Sequence, residues 1–81
     1  MNTQTLEYII AIAEEKSISR AADRLLVSQP AISRQLKRVE ERLGTKLFLR
    51  ERGEMILTDA GKIYVNGARS VQSIYEHALE E

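Results

Sequence analysis

The chain has 81 residues, 12 Lys/Arg against 12 Asp/Glu, one histidine and no cysteine, with 43% hydrophobic and 30% charged residues. This length supports one small globular domain whose core is marginal without tight helix packing or a partner, and the lack of cysteine excludes a disulfide framework and a thiolate zinc site. No run of about 18 apolar residues and no basic-then-apolar leader occurs, so neither a membrane span nor an export signal is read, and a reducing cytoplasmic location fits.

The first helix is predicted over about Thr3–Glu15, where Leu6, Ile9, Ile10 and Ala13 make an inward stripe. Tyr8 and Ile12 form a second apolar strip that this stripe leaves uncovered, so it is expected to need a partner. A short helix follows over Ile18–Leu26, with Ser19 as its expected N-cap and the small pair Ala21-Ala22 allowing close approach of another helix. Leu26-Val27-Ser28-Gln29-Pro30 is a tight polar break. The Ser28 hydroxyl can accept a bond from an orphaned amide of the next helix, and Pro30 is tolerated in a first turn where its missing N–H would have had no partner.

A helix over 28–43 follows, in which Ile32, Leu36, Val39 and Leu43 recur at spacings of four, three and four and form one core-facing stripe. The opposite face carries Pro30, Arg34, Lys37 and Glu41, with Ser33 and Arg38 beside them. Two short helices about a sharp turn, within about 25 residues, are the pattern of a helix-turn-helix. Gly44 supplies the left-handed residue that ends the long helix. Leu47-Phe48-Leu49-Arg50 and Met55-Ile56-Leu57, separated by Glu51-Arg52-Gly53-Glu54, predict a small hairpin with Gly at its tip.

Thr58 is the expected N-cap of a final helix, in which Ala60, Tyr64, Gly67, Val71, Ile74 and Ala78 recur as a heptad-like seam broadened by Ile63, Ala68 and Tyr75. That is more apolar surface than one small domain covers, so part is expected to pack on the first helix and part on another chain. Asn66-Gly67 is a turn-like pair, and Gly costs a helix interior about 1 kcal/mol relative to Ala. One continuous helix is nevertheless read, with Gly67 permitting close approach at the seam.

The zero net charge hides an uneven distribution. Residues 28–53 hold seven Lys/Arg against three Asp/Glu, while residues 54–81 hold two against five. The basic excess falls on the second helix of the motif and the hairpin, as a nucleic-acid binder requires, and the neutral sum predicts weak nonspecific affinity for an isolated monomer. In such a motif the N-terminal residues of the second helix meet base edges in the major groove. Gln29, Ser33 and Arg34 have suitable chemistry: Gln pairs two-pronged with adenine, Arg with guanine, and a hydroxyl with either. Arg50 and Arg52 on the hairpin could reach phosphates or a minor groove, whereas Glu51 and Glu54 read as a solvated turn. Arg38 and Arg42 have a plainer reading as surface partners of Glu41 or Glu40.

With these elements placed, the chain resembles the N-terminal DNA-binding region of the LysR-type transcriptional regulators. The matching residues are Ser17, Ala21-Ala22, Leu25, Ser28-Gln29-Pro30-Ala31-Ile32-Ser33, Glu40, Leu43-Gly44, Leu47-Phe48, Arg50 and Leu57-Thr58-x-Ala60-Gly61. The resemblance implies a mainly α fold, a winged helix-turn-helix of three helices and a short β-hairpin wing followed by a long C-terminal linker helix. It divides the chain into 1–58, with the helix-turn-helix at 18–37 and the wing at 47–57, and a linker or dimerisation helix at 59–81.

It further implies sequence-specific binding of double-stranded promoter DNA carrying an interrupted inverted repeat. The expected DNA-binding residues are Gln29, Pro30, Ser33, Arg34, Lys37, Arg38, Arg50 and Arg52. A homodimer is expected through the linker helices, with Tyr8, Ile12, Tyr64, Gly67, Val71, Ile74, Tyr75 and Ala78 at its interface, and a tetramer is the further assembly of a complete family member. Lys16 stands where the family usually has Gly, Val39-Glu40 where it has Leu-Glu, and Arg52-Gly53 where it reads Gly then Arg. The family's larger inducer-binding domain is expected to be absent, and with it any effector site.

An enzyme is the first rival. The single histidine, His77, lies near the C-terminus, the glycines at 44, 53, 61 and 67 are scattered, and no base is spaced to activate Ser17 or Ser33, so no catalytic residue, metal site or cofactor is expected. A protein-binding winged helix without DNA binding is the stronger rival. Such a surface would carry exposed aromatic or aliphatic residues over Gln29–Lys37, and this stretch is polar and cationic.

Overall fold

The computed structural model describes residues 3–80, so residues 1–2 and 81 of the two expected units lie outside the described residues. Element order is α1 (Thr3–Glu15), α2 (Ile18–Leu25), α3 (Gln29–Leu43), β1 (Phe48–Glu51), β2 (Glu54–Leu57) and α4 (Asp59–Glu80). Helix α1 is the central element, touching α2, α3, α4 and β2. It is therefore buried on nearly all sides: Leu6, Tyr8, Ile9, Ile10, Ala11 and Ile12 all lie in the core. This corrects the expectation that Tyr8 and Ile12 form an open strip for a partner chain. Ile12 has no exposed surface at all and Tyr8 only 7%, because the chain's own helices close over both faces of α1.

Lys16 ends α1 in the left-handed region, at φ 55°, and its carbonyl accepts the Met55 N–H at 3.0 Å. The wing is thereby tied to the end of the first helix. Ser17 is extended and its hydroxyl accepts the Arg20 N–H at 3.0 Å, so Ser17, not Ser19, caps α2. Helix α2 buries Ala21 and Ala22, the small residues that let it lie close to α1 and α3. Leu26 closes it at φ 58°, again left-handed, with 91% of its surface exposed.

Ser28 caps α3 by accepting the Ala31 N–H at 3.2 Å, with Pro30 in the first turn as expected. Ile32, Leu36 and Val39 are buried, but Leu43 is 52% exposed: the stripe continues past the edge of the core it was expected to face. Gly44, at φ 72°, ends the helix with its N–H on the Glu40 carbonyl. The Glu40 carboxylate then turns outward from the helix, accepting the Leu47 N–H at 2.8 Å and holding Lys46 at 3.7 Å. The pairing expected between Glu40 or Glu41 and Arg38 or Arg42 does not form.

Strands β1 and β2 pair antiparallel from Phe48↔Leu57 to Glu51↔Glu54, leaving a two-residue turn at Arg52-Gly53. Both turn residues have positive φ, 50° and 78°, the turn whose twist matches a right-handed hairpin. Phe48 anchors the wing in the core. Thr58 joins wing to exit helix: its N–H donates to the Leu47 carbonyl at 3.0 Å, its hydroxyl donates to the Lys46 carbonyl at 2.7 Å and accepts the Gly61 N–H at 3.0 Å. At Gly61 the exit helix passes so near the chain that a Cβ would lie 2.0 Å from the Leu47 carbonyl oxygen. Helix α4 runs unbroken through Asn66-Gly67, burying Gly61, Val65 and Ala68 near its start. Among the described residues of its far half, all but the half-buried Gln72 are exposed.

Candidate nucleic-acid interface

Helix α3 presents Gln29, Pro30, Ser33, Arg34, Lys37 and Arg38 as exposed residues, while Ile32, Leu36 and Val39 root it in the core. The presenting face is rigid at both ends. Ser28 and Gly44 cap it, and the Thr5 hydroxyl donates to Gln35 Oε1 at 3.2 Å, pinning its middle to the start of α1. The wing adds exposed Arg50 and Arg52. Arg52 occupies the first turn position, a left-handed site that costs a side chain with a Cβ about 1–2 kcal/mol. That placement puts its guanidinium at the wing tip.

Ion pairing separates two classes of cation. Arg24 and Arg69 engage Glu14, Arg24 also engages Glu15, and Lys46 engages Glu40. Among the described residues, Arg34, Lys37, Arg38, Arg42, Arg50 and Arg52 have no ion-pair partner. Six of the nine cations without an ion-pair partner among the described residues thus lie on α3 and the wing; the other three are Lys16, Arg20 and Lys62, and Arg20 donates to the Glu15 backbone carbonyl. Solvated and unpartnered, these six side chains can meet phosphates without breaking a contact of the folded chain. Arg42 was not singled out for binding in the sequence. It lies one turn beyond Arg38, and both line a groove between α3 and Thr5 of α1. Glu41, on the same exposed face as Lys37, is the one acidic group there.

The expected pairing residues divide. Tyr64 is half-buried, and burial pushes its hydroxyl pKa up, so it is a neutral phenol near physiological pH. Gly67, Val71, Ile74, Tyr75 and Ala78 are exposed on α4, as are Ile63 and Leu79. Near the start of α1 a shallow groove is lined by Leu6, Ile63, Tyr64, Gly67 and Val71. Large exposed apolar residues therefore concentrate on α4, with Leu26, Leu43 and Leu49 scattered elsewhere.

The family model described as bacterial regulatory helix-turn-helix protein, lysR family, matches residues 3–62. The chain belongs to the lysR family. It is 40% identical to the HTH-type transcriptional regulator BudR of Klebsiella aerogenes over 81 residues, all of this chain and 57% of BudR. It is 42% identical over 71 residues to the DNA-binding transcriptional dual regulator OxyR of Escherichia coli K12, 88% of this chain and 23% of OxyR. The chain therefore spans between just under a quarter and just over half of the length of these lysR-family relatives. Among solved structures, the BenM DBD in complex with benA site 1 DNA superposes with a TM-score of 0.92 at 32% identity, covering 99% of this chain and 93% of that one. The winged helix-turn-helix with its long exit helix is thus the lysR-family DNA-binding fold, and the chain is a regulator domain, not an enzyme.

Proposed function

We propose that two copies of this chain bind an interrupted inverted repeat in promoter DNA, each inserting α3 into a major groove while its wing lies at the adjacent minor groove. The observation that supports this reading is the concentration of unpaired cations on α3 and the wing, which hold six of the nine among the described residues. Gln29, Ser33 and Arg34 would read base edges. Lys37, Arg38, Arg50 and Arg52 would hold phosphates or the minor groove, and Arg42 joins this second group. Residues 1–58 serve as the reading unit and 59–81 as the pairing helix, a division of role, since the first turns of α4 belong to the common core.

The exposed residues of α4, with the groove beside Leu6, supply the surface for a second copy. Two α3 helices would then enter successive major grooves about 34 Å apart. A protein-binding module without DNA contacts is disfavoured by the polar, cationic exposure of α3. The test is a titration of the 81-residue chain against duplexes selected from a random library and against scrambled DNA, at two salt concentrations. Tighter, salt-sensitive binding to the selected duplex is expected. A folded, dimeric chain that binds no duplex would overturn the DNA reading in favour of the interaction module.

A further inference from the structure

Three charged side chains from three helices meet where the exit helix leaves the body. Glu14, in the last turn of α1, takes Arg24 Nη1 of α2 on Oε1 at 2.9 Å and Arg69 Nη2 of α4 on Oε2 at 3.2 Å. Each carboxylate oxygen has its own guanidinium. Arg24 is steadied in turn by Glu15 Oε2 at 3.2 Å. The guanidinium of Arg24, and then that of Arg69, hold the Glu14 carboxyl below its ordinary pKa, so the hub is fully charged at neutral pH.

Its place along α4 is what gives the hub leverage. Arg69 directly follows Ala68, and beyond it, among the described residues of the helix, none is buried and only Gln72 is half-buried. Glu14–Arg69 is thus the outermost ion pair between the exit helix and the body among the described residues. Behind it, α4 is seated on the body through buried Gly61, Val65 and Ala68 and half-buried Ala60 and Tyr64, all on the N-terminal side of Arg69. A helix held only along its N-terminal part can rock about that part, and a charged contact on its flank at the last buried turn opposes the rocking.

We propose that Glu14 is a positioning residue: by gripping α2 through Arg24 and α4 through Arg69, it fixes the angle between the reading helices and the exit helix. It thereby sets the half-site spacing that a pair of chains accepts. This rests on the dimeric reading above. The projecting part of α4 is about 16 Å long at 1.5 Å per residue, so rocking it by about 10° carries its far end about 3 Å. That displacement is close to one base-pair step of about 3.4 Å. Solvent-exposed pairs of this kind add little to folding stability, so losing the hub alters geometry and leaves the fold intact.

The experiment is parallel selection from a random-sequence duplex library by the wild-type chain and by Glu14→Gln, Arg69→Met and Arg69→Lys. Thermal unfolding and light scattering are measured on each protein. Wild type is expected to select paired half-sites at a single spacing. Glu14→Gln and Arg69→Met are expected to select the same half-site bases at several adjacent spacings of comparable abundance, while Arg69→Lys keeps the single spacing. An unchanged single spacing in the first two variants would overturn the proposal. So would loss of the half-site sequence or a large fall in melting temperature, either of which would assign the hub to folding. If wild type is monomeric and selects unpaired half-sites, the dimeric reading itself fails and takes the proposal with it.

Discussion

Two glycines six residues apart in α4 should respond to alanine with opposite signs. At Gly61 an added Cβ would sit 2.0 Å from the Leu47 carbonyl oxygen and 2.9 Å from Leu57 Cδ2. The first contact is with backbone, which cannot rotate away, so α4 must move off the β1 entry. Overpacking of this kind costs about 1–3 kcal/mol, and the alanine returns about 1 kcal/mol of helix propensity. The movement also stretches the bonds by which Thr58 joins the Leu47 and Lys46 carbonyls to the Gly61 N–H, each worth about 0.5–1.5 kcal/mol.

The net expectation for Gly61→Ala is a loss of about 2–3 kcal/mol, or roughly 10–20 °C in Tm for a domain of this size. At Gly67 nothing lies within 4 Å of an added Cβ, so Gly67→Ala should gain up to about 1 kcal/mol in the single chain. If Gly67 lies in the pairing seam, the same variant weakens self-association. Urea unfolding followed by circular dichroism over a range of chain concentrations separates the two effects, because only association depends on concentration. A Gly61→Ala chain melting at or above the wild-type temperature would refute the close-approach argument.

Arg34→Ala should cost about 1–3 kcal/mol on a selected duplex and relax preference at one base pair, whereas Lys37→Ala should weaken binding to all sequences and lower the salt slope by about one. Equal losses on selected and scrambled DNA for Arg34→Ala would remove it from base reading. Leu26→Asn should raise stability by about 0.5–1 kcal/mol, since Leu26 spends a left-handed conformation and 91% exposure on a site that Asn adopts more readily; an unchanged urea midpoint would contradict this. The Glu14 carboxyl, lowered chiefly by its bond from Arg24, contributes stability that is present above its unfolded-state pKa and lost as pH falls through its folded-state pKa. Screening at this exposed site limits the contribution to about 0.2–1 kcal/mol. Wild type minus Glu14→Gln should therefore show a stability difference that fades as pH falls from the ordinary carboxylate range to below it, measured by urea unfolding at stepped pH.

Local signals in the sequence located α1, α3, the hairpin and α4 because each rests on neighbours in the chain: a period of apolar residues, Ser28 and Thr58 as caps, Gly44 and Gly53 at positive φ. Family resemblance added the reading of these elements together as a LysR-type DNA-binding region. What the sequence could not supply depends on how many neighbours surround an element. Ile12 and Tyr8 looked like surplus apolar surface on a helix with one partner, and α1 has four. Leu43 continued the α3 period past the point where the core ends. The cap of α2 moved from Ser19 to Ser17 because Lys16 closes α1 in a left-handed turn, a conformation that Lys does not advertise. The hub at Glu14 joins residues 10 and 55 positions away, and the contact at Gly61 depends on the path of Leu47. Neither leaves a periodic trace.

The exposed outer half of α4 has a consequence for dosage. Where two copies must pair before either grips its site firmly, the occupied fraction at low abundance follows the square of chain concentration, so doubling the chain raises occupancy about fourfold. Under the proposed pairing, a single hydrophobic helix end would thus make the response to expression level steeper than any one recognition helix could by itself.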